Sequence, residues 1–108
     1  MALNPNYPPY YLGNLGYALR LAGQVEQAIT AFKAYDATVP GSSFGLTDLV
    51  ILYQQNGQSD EAKHTAERFL SIRPDFTIIS WLKTQSIRDA AQLEADVEAL
   101  RSAGLPMS

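Results

Sequence analysis

Apolar residues recur along this chain at three- and four-residue intervals, interrupted by short turns rich in glycine, proline and polar residues. That pattern predicts six helices, at roughly 9–22, 25–39, 43–56, 59–72, 77–84 and 89–103. The last is clearly amphipathic. Ala90, Leu93, Val97 and Leu100 share one face, and Glu94, Asp96, Glu98 and Arg101 fall largely off it. Gly104 is its expected stop and Pro106 its breaker. The fifth segment, from Thr77 to Leu82, is apolar and rich in β-branched residues, so periodicity alone would also allow a strand. Its position decides for a helix, because the first four helices form a repeat and this segment begins the next copy.

The repeat emerges when the chain is displaced by 34 residues against itself. Gly23 falls on Gly57, Ala28 on Ala62 and Pro40 on Pro74, while Leu12, Leu15 and Leu19 fall on Leu46, Leu49 and Tyr53. Each copy resembles a tetratricopeptide (TPR) unit, whose pattern runs W-x2-L-G-x2-Y, A-x3-F and then proline. The first copy supplies Leu12, Leu15-Gly16, Leu19, Ala28, Phe32 and Pro40. The second supplies Leu46, Leu49-Val50, Tyr53, Ala62, Ala66 and Pro74, with Val50 and Ala66 departing from the small residue and the phenylalanine. The resemblance implies an all-α fold, a right-handed TPR-type superhelix of antiparallel helix pairs, and a role in holding other proteins.

Local chemistry agrees with those boundaries. Gly16 suits the close approach of two paired helices, and Ala28 and Ala62 suit the same contact from the other side. Gly23 and Gly57 are expected to end the first helix of each pair at positive φ. Ser59 is the expected cap of the fourth helix, with Asp60 and Glu61 in its first turn, and Ser42 or Ser43 the expected cap of the third. Pro40 and Pro74 stop the second helices.

The expected organisation is therefore 1–8 as the end of a preceding repeat, 9–42 and 43–76 as two TPR units, and 77–108 as a degenerate third pair with a capping helix. Leu3-Asn4-Pro5 resembles the close of a unit, as Ile72-Arg73-Pro74 does, and suggests an excised segment. Two units fall short of the roughly three that a stack usually needs. Segment 77–103 is expected to cover the open end, with Trp81, Leu93 and Val97 as its main packing residues. The tail, Thr84 to Glu94 followed by Ala99-Leu100-Arg101-Ser102-Ala103-Gly104-Leu105-Pro106, is similar to the C-terminus of bacterial class III adenylate or guanylate cyclases that carry TPR repeats. Ser86 and Ala90 stand where that family often has proline. The resemblance implies a structural, regulatory or dimerisation appendage of a signalling enzyme whose catalytic domain lies elsewhere.

Composition narrows the function classes. At 108 residues the chain fits one domain, able to bury roughly two thirds of its unfolded surface. It has no cysteine, which excludes disulfides and thiolate metal sites and suits a reducing cytoplasm. Eight basic residues against eleven acidic ones give a charge of −3, and no basic stripe exists. Nucleic acid and anionic membranes are therefore not expected partners, and no run reaches the ~20 apolar residues of a membrane span. Asp36, Asp48, Asp60 and Asp75 are scattered, and read as solvated or capping residues. His64, the sole histidine, lacks a second ligand type beside it. Gly41-Ser42-Ser43 is too short to cradle a phosphate. No catalytic constellation, cofactor or metal site is expected.

What the resemblance does imply is a concave groove lined by the first helices. In register, its residues are Tyr10, Gly13, Tyr17 and Arg20 from the first unit, and Phe44, Thr47, Asp48, Ile51 and Gln54 from the second. The lysine and asparagine with which some TPR domains grip a C-terminal carboxylate are replaced by Gly13, Tyr17, Thr47 and Ile51. For Tyr17 and Ile51, packing between units is an equal alternative. A second cluster, Tyr7, Tyr10, Tyr11 and Leu12, is the expected surface for self-association through the N-terminal face.

Overall fold

Paired helices follow one another along the chain in the computed structural model, which describes residues 8–39, 41–43, 45–85 and 90–108. The helices are α1 (Pro9–Leu21), α2 (Val25–Thr38), α3 (Leu46–Gln55), α4 (Ser59–Ile72), α5 (Ile78–Lys83) and α6 (Ala90–Ser102). Among the described residues there is no strand. α1 packs on α2, α3 on α4, and α2 on α3 across the junction between the pairs. The fold is thus all-α and of TPR type, with α6 packed on α3 and on α5.

The 34-residue displacement reappears in the backbone hydrogen bonds. Gly23 donates to the Arg20 carbonyl (3.0 Å) and Gln24 to that of Leu19 (2.9 Å). One unit later Gly57 donates to Gln54 (3.2 Å) and Gln58 to Tyr53 (2.8 Å). Both glycines lie at positive φ, +78° and +73°, so each turn is the Schellman type that a residue without Cβ makes most readily. The second helices also end alike. Val39 and Arg73 share nearly the same backbone angles, φ −126° with ψ 73° and φ −125° with ψ 74°, and each donates back into its own helix. Pro74 follows Arg73 and bars continuation; Pro40 lies outside the described residues.

Two capping expectations fail. Ser59 is the first residue inside α4, and Gln58 occupies the cap position without a side-chain hydrogen bond. Nor does Ser42 or Ser43 cap α3. That helix starts at Leu46, behind Gly45 at φ +82°, three residues later than the sequence pattern implied. The left-handed residue cannot sit inside a right-handed helix, and it also brings the backbone close to Phe32. A Cβ built on Gly45 would lie 2.8 Å from the Phe32 ring. From the opposite side, a Cβ on Gly16 would lie 2.9 Å from the same ring. The phenylalanine is therefore wedged between the two pairs, with a glycine on each side of it.

The C-terminal third packs on the core, and of the residues expected to do so Trp81 and Val97 lie against it. Trp81, Leu93 and Val97 are only half-buried, whereas Ile78, Leu100, Ala103 and Leu105 are fully covered. α6 ends in the same way as the first helices of the pairs: Gly104 donates to Arg101 (3.0 Å) and Leu105 to Leu100 (3.2 Å). Leu105 then packs into the core as the apolar partner such a turn favours. Beyond it the tail folds back. The amides of Ile78 and Ile79, at the start of α5, donate to the carbonyls of Pro106 (2.8 Å) and Met107 (3.0 Å). The Thr77 hydroxyl accepts from the Ser80 amide at 3.2 Å. A helix of six residues, too short to hold itself, is thus fixed by its own C-terminal tail. The radius of gyration, 13.1 Å, is that of an ordinary globule of this size, because α6 folds back on α3 instead of extending the stack.

Candidate protein-binding face

A cavity of about 590 Å³ opens where the first helices of the pairs meet α5. Its wall on α1 is Tyr17. Thr47 and Asp48 come from the first turn of α3, with Ser43 and Gly45 before them. Phe69 and Phe76 meet edge to face at 4.7 Å, and Trp81 stands beside them on α5. Arg73, Asp75, Ser80, Thr84 and Gln85 complete the rim. The result is an aromatic surface surrounded by hydroxyl, amide and charged groups, with no cluster able to hold a metal among the described residues. Aromatic anchors inside a polar rim are the composition of protein-binding hot spots.

Of the nine groove positions read from the sequence, three line this cavity: Tyr17, Thr47 and Asp48. Tyr10 is 72 % exposed on the outer part of α1. Gly13 is buried, and Phe44 lies outside the described residues. Ile51 is a core residue, 1 % exposed, whereas Tyr17, its equivalent one repeat earlier, is 37 % exposed. The two equivalent positions therefore differ in burial from one unit to the next. Arg20 and Gln54 are covered from an unexpected direction, by α6. The Gln54 amide donates to the Ala99 carbonyl at 3.2 Å. The Arg20 guanidinium forms an ion pair with Asp96 through Nη2, and reaches Asp48 from Nη1 at 3.4 Å. Gln92 donates to the second oxygen of Asp96 at 2.8 Å.

Asp96 corrects the reading of α6. Its side chain is 1 % exposed, so it belongs to the inner face of the helix and not to the solvated one. The signal was present in the spacing. Positions 93, 96, 97, 100 and 103 follow the 3–4 alternation of one helical stripe, and a carboxylate in that stripe requires a cation opposite it. Asp36 and Asp48 were also read as solvated or capping. Asp48 meets Arg20, and Asp36 accepts from Arg68 at 2.9 Å and 3.0 Å. His64 is exposed on the opposite side, near a smaller cavity bounded by Tyr53, Asp60, Glu61 and Arg68. Burial raises the Tyr53 pKa above its usual value, and the Glu61 charge adds to the effect.

The cluster at the N-terminal face is smaller than expected. Tyr10 and Tyr11 are exposed, Leu12 is buried at 1 %, and Tyr7 lies outside the described residues. No helix among the described residues is long and apolar enough to cross a membrane.

No curated protein matches this chain, so the likeness of its tail to cyclase C-termini gains no support from relatives. The comparison that succeeds falls on the second helix pair: residues 46–76, from the first residue of α3 to the turn before α5, match the tetratricopeptide repeat family model, and the chain therefore carries a tetratricopeptide repeat there.

Proposed function

We propose that this chain is a non-catalytic scaffold that holds a segment of another protein in the cavity between α1, α3 and α5. Tetratricopeptide repeats serve protein–protein interaction in general, and the observation that carries the reading here is the cavity itself. Three residues of the predicted groove converge on it, and Trp81, Phe69 and Phe76 give it an apolar wall. At about 590 Å³ it takes one or two large side chains of a bound segment, within the ~300–1,000 Å³ range of ligand sites. Hydroxyls and amides at the rim suit the backbone of an extended peptide. The finer reading, an appendage of a nucleotide cyclase in the cytoplasm, rests on the tail resemblance alone.

Site-specific cross-linking tests the scaffold. A photoreactive residue at Thr47 should trap a partner, and one at Lys63 should not. Tyr17→Ala with Trp81→Ala should abolish the Thr47 product. Equal trapping at both sites, or an undiminished product in the double variant, would remove the cavity from the binding surface.

A further inference from the structure

α5 carries Ser80, Trp81, Thr84 and Gln85 to the cavity or to its edge, yet it cannot place itself. Six residues give little more than one closed turn, and the cost of starting a helix is not recovered over that length. The first amides of any helix lack a partner within it. In α5 the Ser80 amide is met by the Thr77 hydroxyl at 3.2 Å, and the two before it are met from the far end of the chain. Ile78 donates to the Pro106 carbonyl at 2.8 Å and Ile79 to the Met107 carbonyl at 3.0 Å. Gly104 turns the chain at φ +103° and Leu105 enters the core, so the segment bearing those carbonyls is itself fixed on the body of the protein. The Pro106 and Met107 side chains are exposed, which leaves the main chain as the tail's grip on α5.

The opposite walls need no such support. Tyr17, Thr47, Asp48 and Phe69 belong to α1, α3 and α4, each of ten residues or more and packed in the helix pairs. The cavity thus joins a wall built by the repeats to a wall that is held by the C-terminal tail. We infer that residues 105–107 are a positioning segment of this site: through the Pro106 and Met107 carbonyls they set α5, and with it the Trp81 ring, across from Tyr17 and Thr47, and the cavity accepts a ligand only while the tail is docked. The inference rests on the reading of the cavity as the binding site, and adds what keeps its α5 wall in place. Coupling of this kind is reciprocal. A ligand that bridges Trp81 and the α3 wall opposes undocking of the tail, and whatever removes the tail carbonyls weakens the ligand. Ile78 is fully buried and keeps the first turn near the core without the tail, so the loss falls on the order of α5 and not on the repeats.

A chain ending at Leu105 lacks both carbonyls. Its control is the full chain with Pro106→Ala and Met107→Ala, which keeps both carbonyls and loses only side chains. Hydrogen exchange should show the α5 amides of the shortened chain opening about 30-fold faster than in wild type, roughly fivefold for each bond lost, with α1 to α4 unchanged. Trp81, the sole tryptophan, should move its emission to longer wavelength and become easier to quench with acrylamide. The photoreactive residue at Thr47 should trap its partner in the wild-type and double-alanine chains, and about tenfold less in the shortened one. In the wild-type chain itself, the amides of Ile78, Ile79 and Trp81 should exchange as one unit.

A shortened chain whose α5 amides and Trp81 emission match wild type overturns the inference, as does a double-alanine chain that loses as much as the shortened one. Exchange that rises equally in α1 to α4 also overturns it, because the tail then holds the whole fold and not one wall. Undiminished trapping in a shortened chain with a loosened α5 refutes the positioning role while the cavity reading stands. If Thr47 traps nothing in any of the three chains, the cavity reading fails, and the α5 amides and Trp81 emission still decide whether the tail sets the wall.

Discussion

Replacing Gly16 by alanine sets two calculable effects against each other. Alanine favours a helix interior by about 1 kcal/mol over glycine. Against that, its methyl would lie 2.9 Å from Cδ2 and Cε2 of Phe32 and 3.0 Å from Cζ. The ring cannot give way, because Gly45 holds its Cδ1 edge from the α3 side and the residue is 1 % exposed. Overpacking of this kind costs about 1–3 kcal/mol, and a trapped ring places it towards the upper end. The expected net loss is about 1–2 kcal/mol, or roughly 5–10 °C in Tm for a domain of this size.

The second repeat indicates how the loss can be recovered. Val50 stands where Gly16 does, Ala66 stands where Phe32 does, and both are fully buried. The two departures from the repeat pattern are therefore one exchange of volume, large for small on one helix and small for large on its partner. Phe32→Ala alone should cost about 3–5 kcal/mol. Gly16→Val alone should cost more than Gly16→Ala. Together they should cost about 2–3 kcal/mol less than their sum, since valine fills part of the space the ring leaves. Urea denaturation followed by helical circular dichroism, with Trp81 fluorescence as a check on two-state behaviour, measures all three. A Gly16→Ala chain at least as stable as wild type, or a double variant additive within about 0.5 kcal/mol, would refute the packing argument.

Asp96→Ala should lower stability by about 2–3 kcal/mol in the same assay, because it leaves the nearly buried Arg20 with only its longer contact to Asp48; a loss below about 1 kcal/mol would mean the pair is solvated. Gly57→Ala should cost about 1–2 kcal/mol although no atom stands within 4 Å of the added methyl. That loss comes from the left-handed backbone alone, and a neutral result by thermal melting would contradict it. Tyr53 gives a pH dependence. Its folded pKa is raised, so its contribution is fully present below the unfolded value of about 10 and declines as pH rises through the folded one. Urea midpoints should fall above about pH 10, and Tyr53→Phe should flatten that slope; an unchanged slope would count against the assignment. At the N-terminal face, Tyr10→Ser with Tyr11→Ser should abolish concentration-dependent light scattering, and a wild-type chain already monomeric at high concentration would remove that patch as a self-association surface.

The repeat was legible because its signals are local. A glycine that must take positive φ, an alanine at a helix crossing and a proline after a helix each declare themselves within a few residues, and the 34-residue spacing multiplies them. α4 was accordingly placed to the residue. The start of α3 was misread because Gly45 answers a tertiary demand, the width of the Phe32 ring, which no local pattern contains. The Ser59 cap failed for a related reason. Gln24 and Gln58 enter their helices directly from the Schellman turns, so the turn geometry fixes the first residue without a side-chain acceptor.

The site was only half legible, and the missing half follows from how α6 returns. Register along a TPR unit groups Tyr17, Thr47 and Asp48, and the three line one cavity, because those positions depend on a single helix pair and its neighbour. It could not say that a later helix would cross the same surface and cover Arg20 and Gln54. Yet Arg20 and Asp96 had to meet something. A cation on a predicted groove and a carboxylate inside an apolar stripe are each costly when buried alone, and a chain with both removes the cost by bringing them together. The tail makes the return possible: Leu105 enters the core, while Pro106 and Met107 bond to the head of α5. The returning helix and the surface it covers are thus complementary by charge as well as by shape.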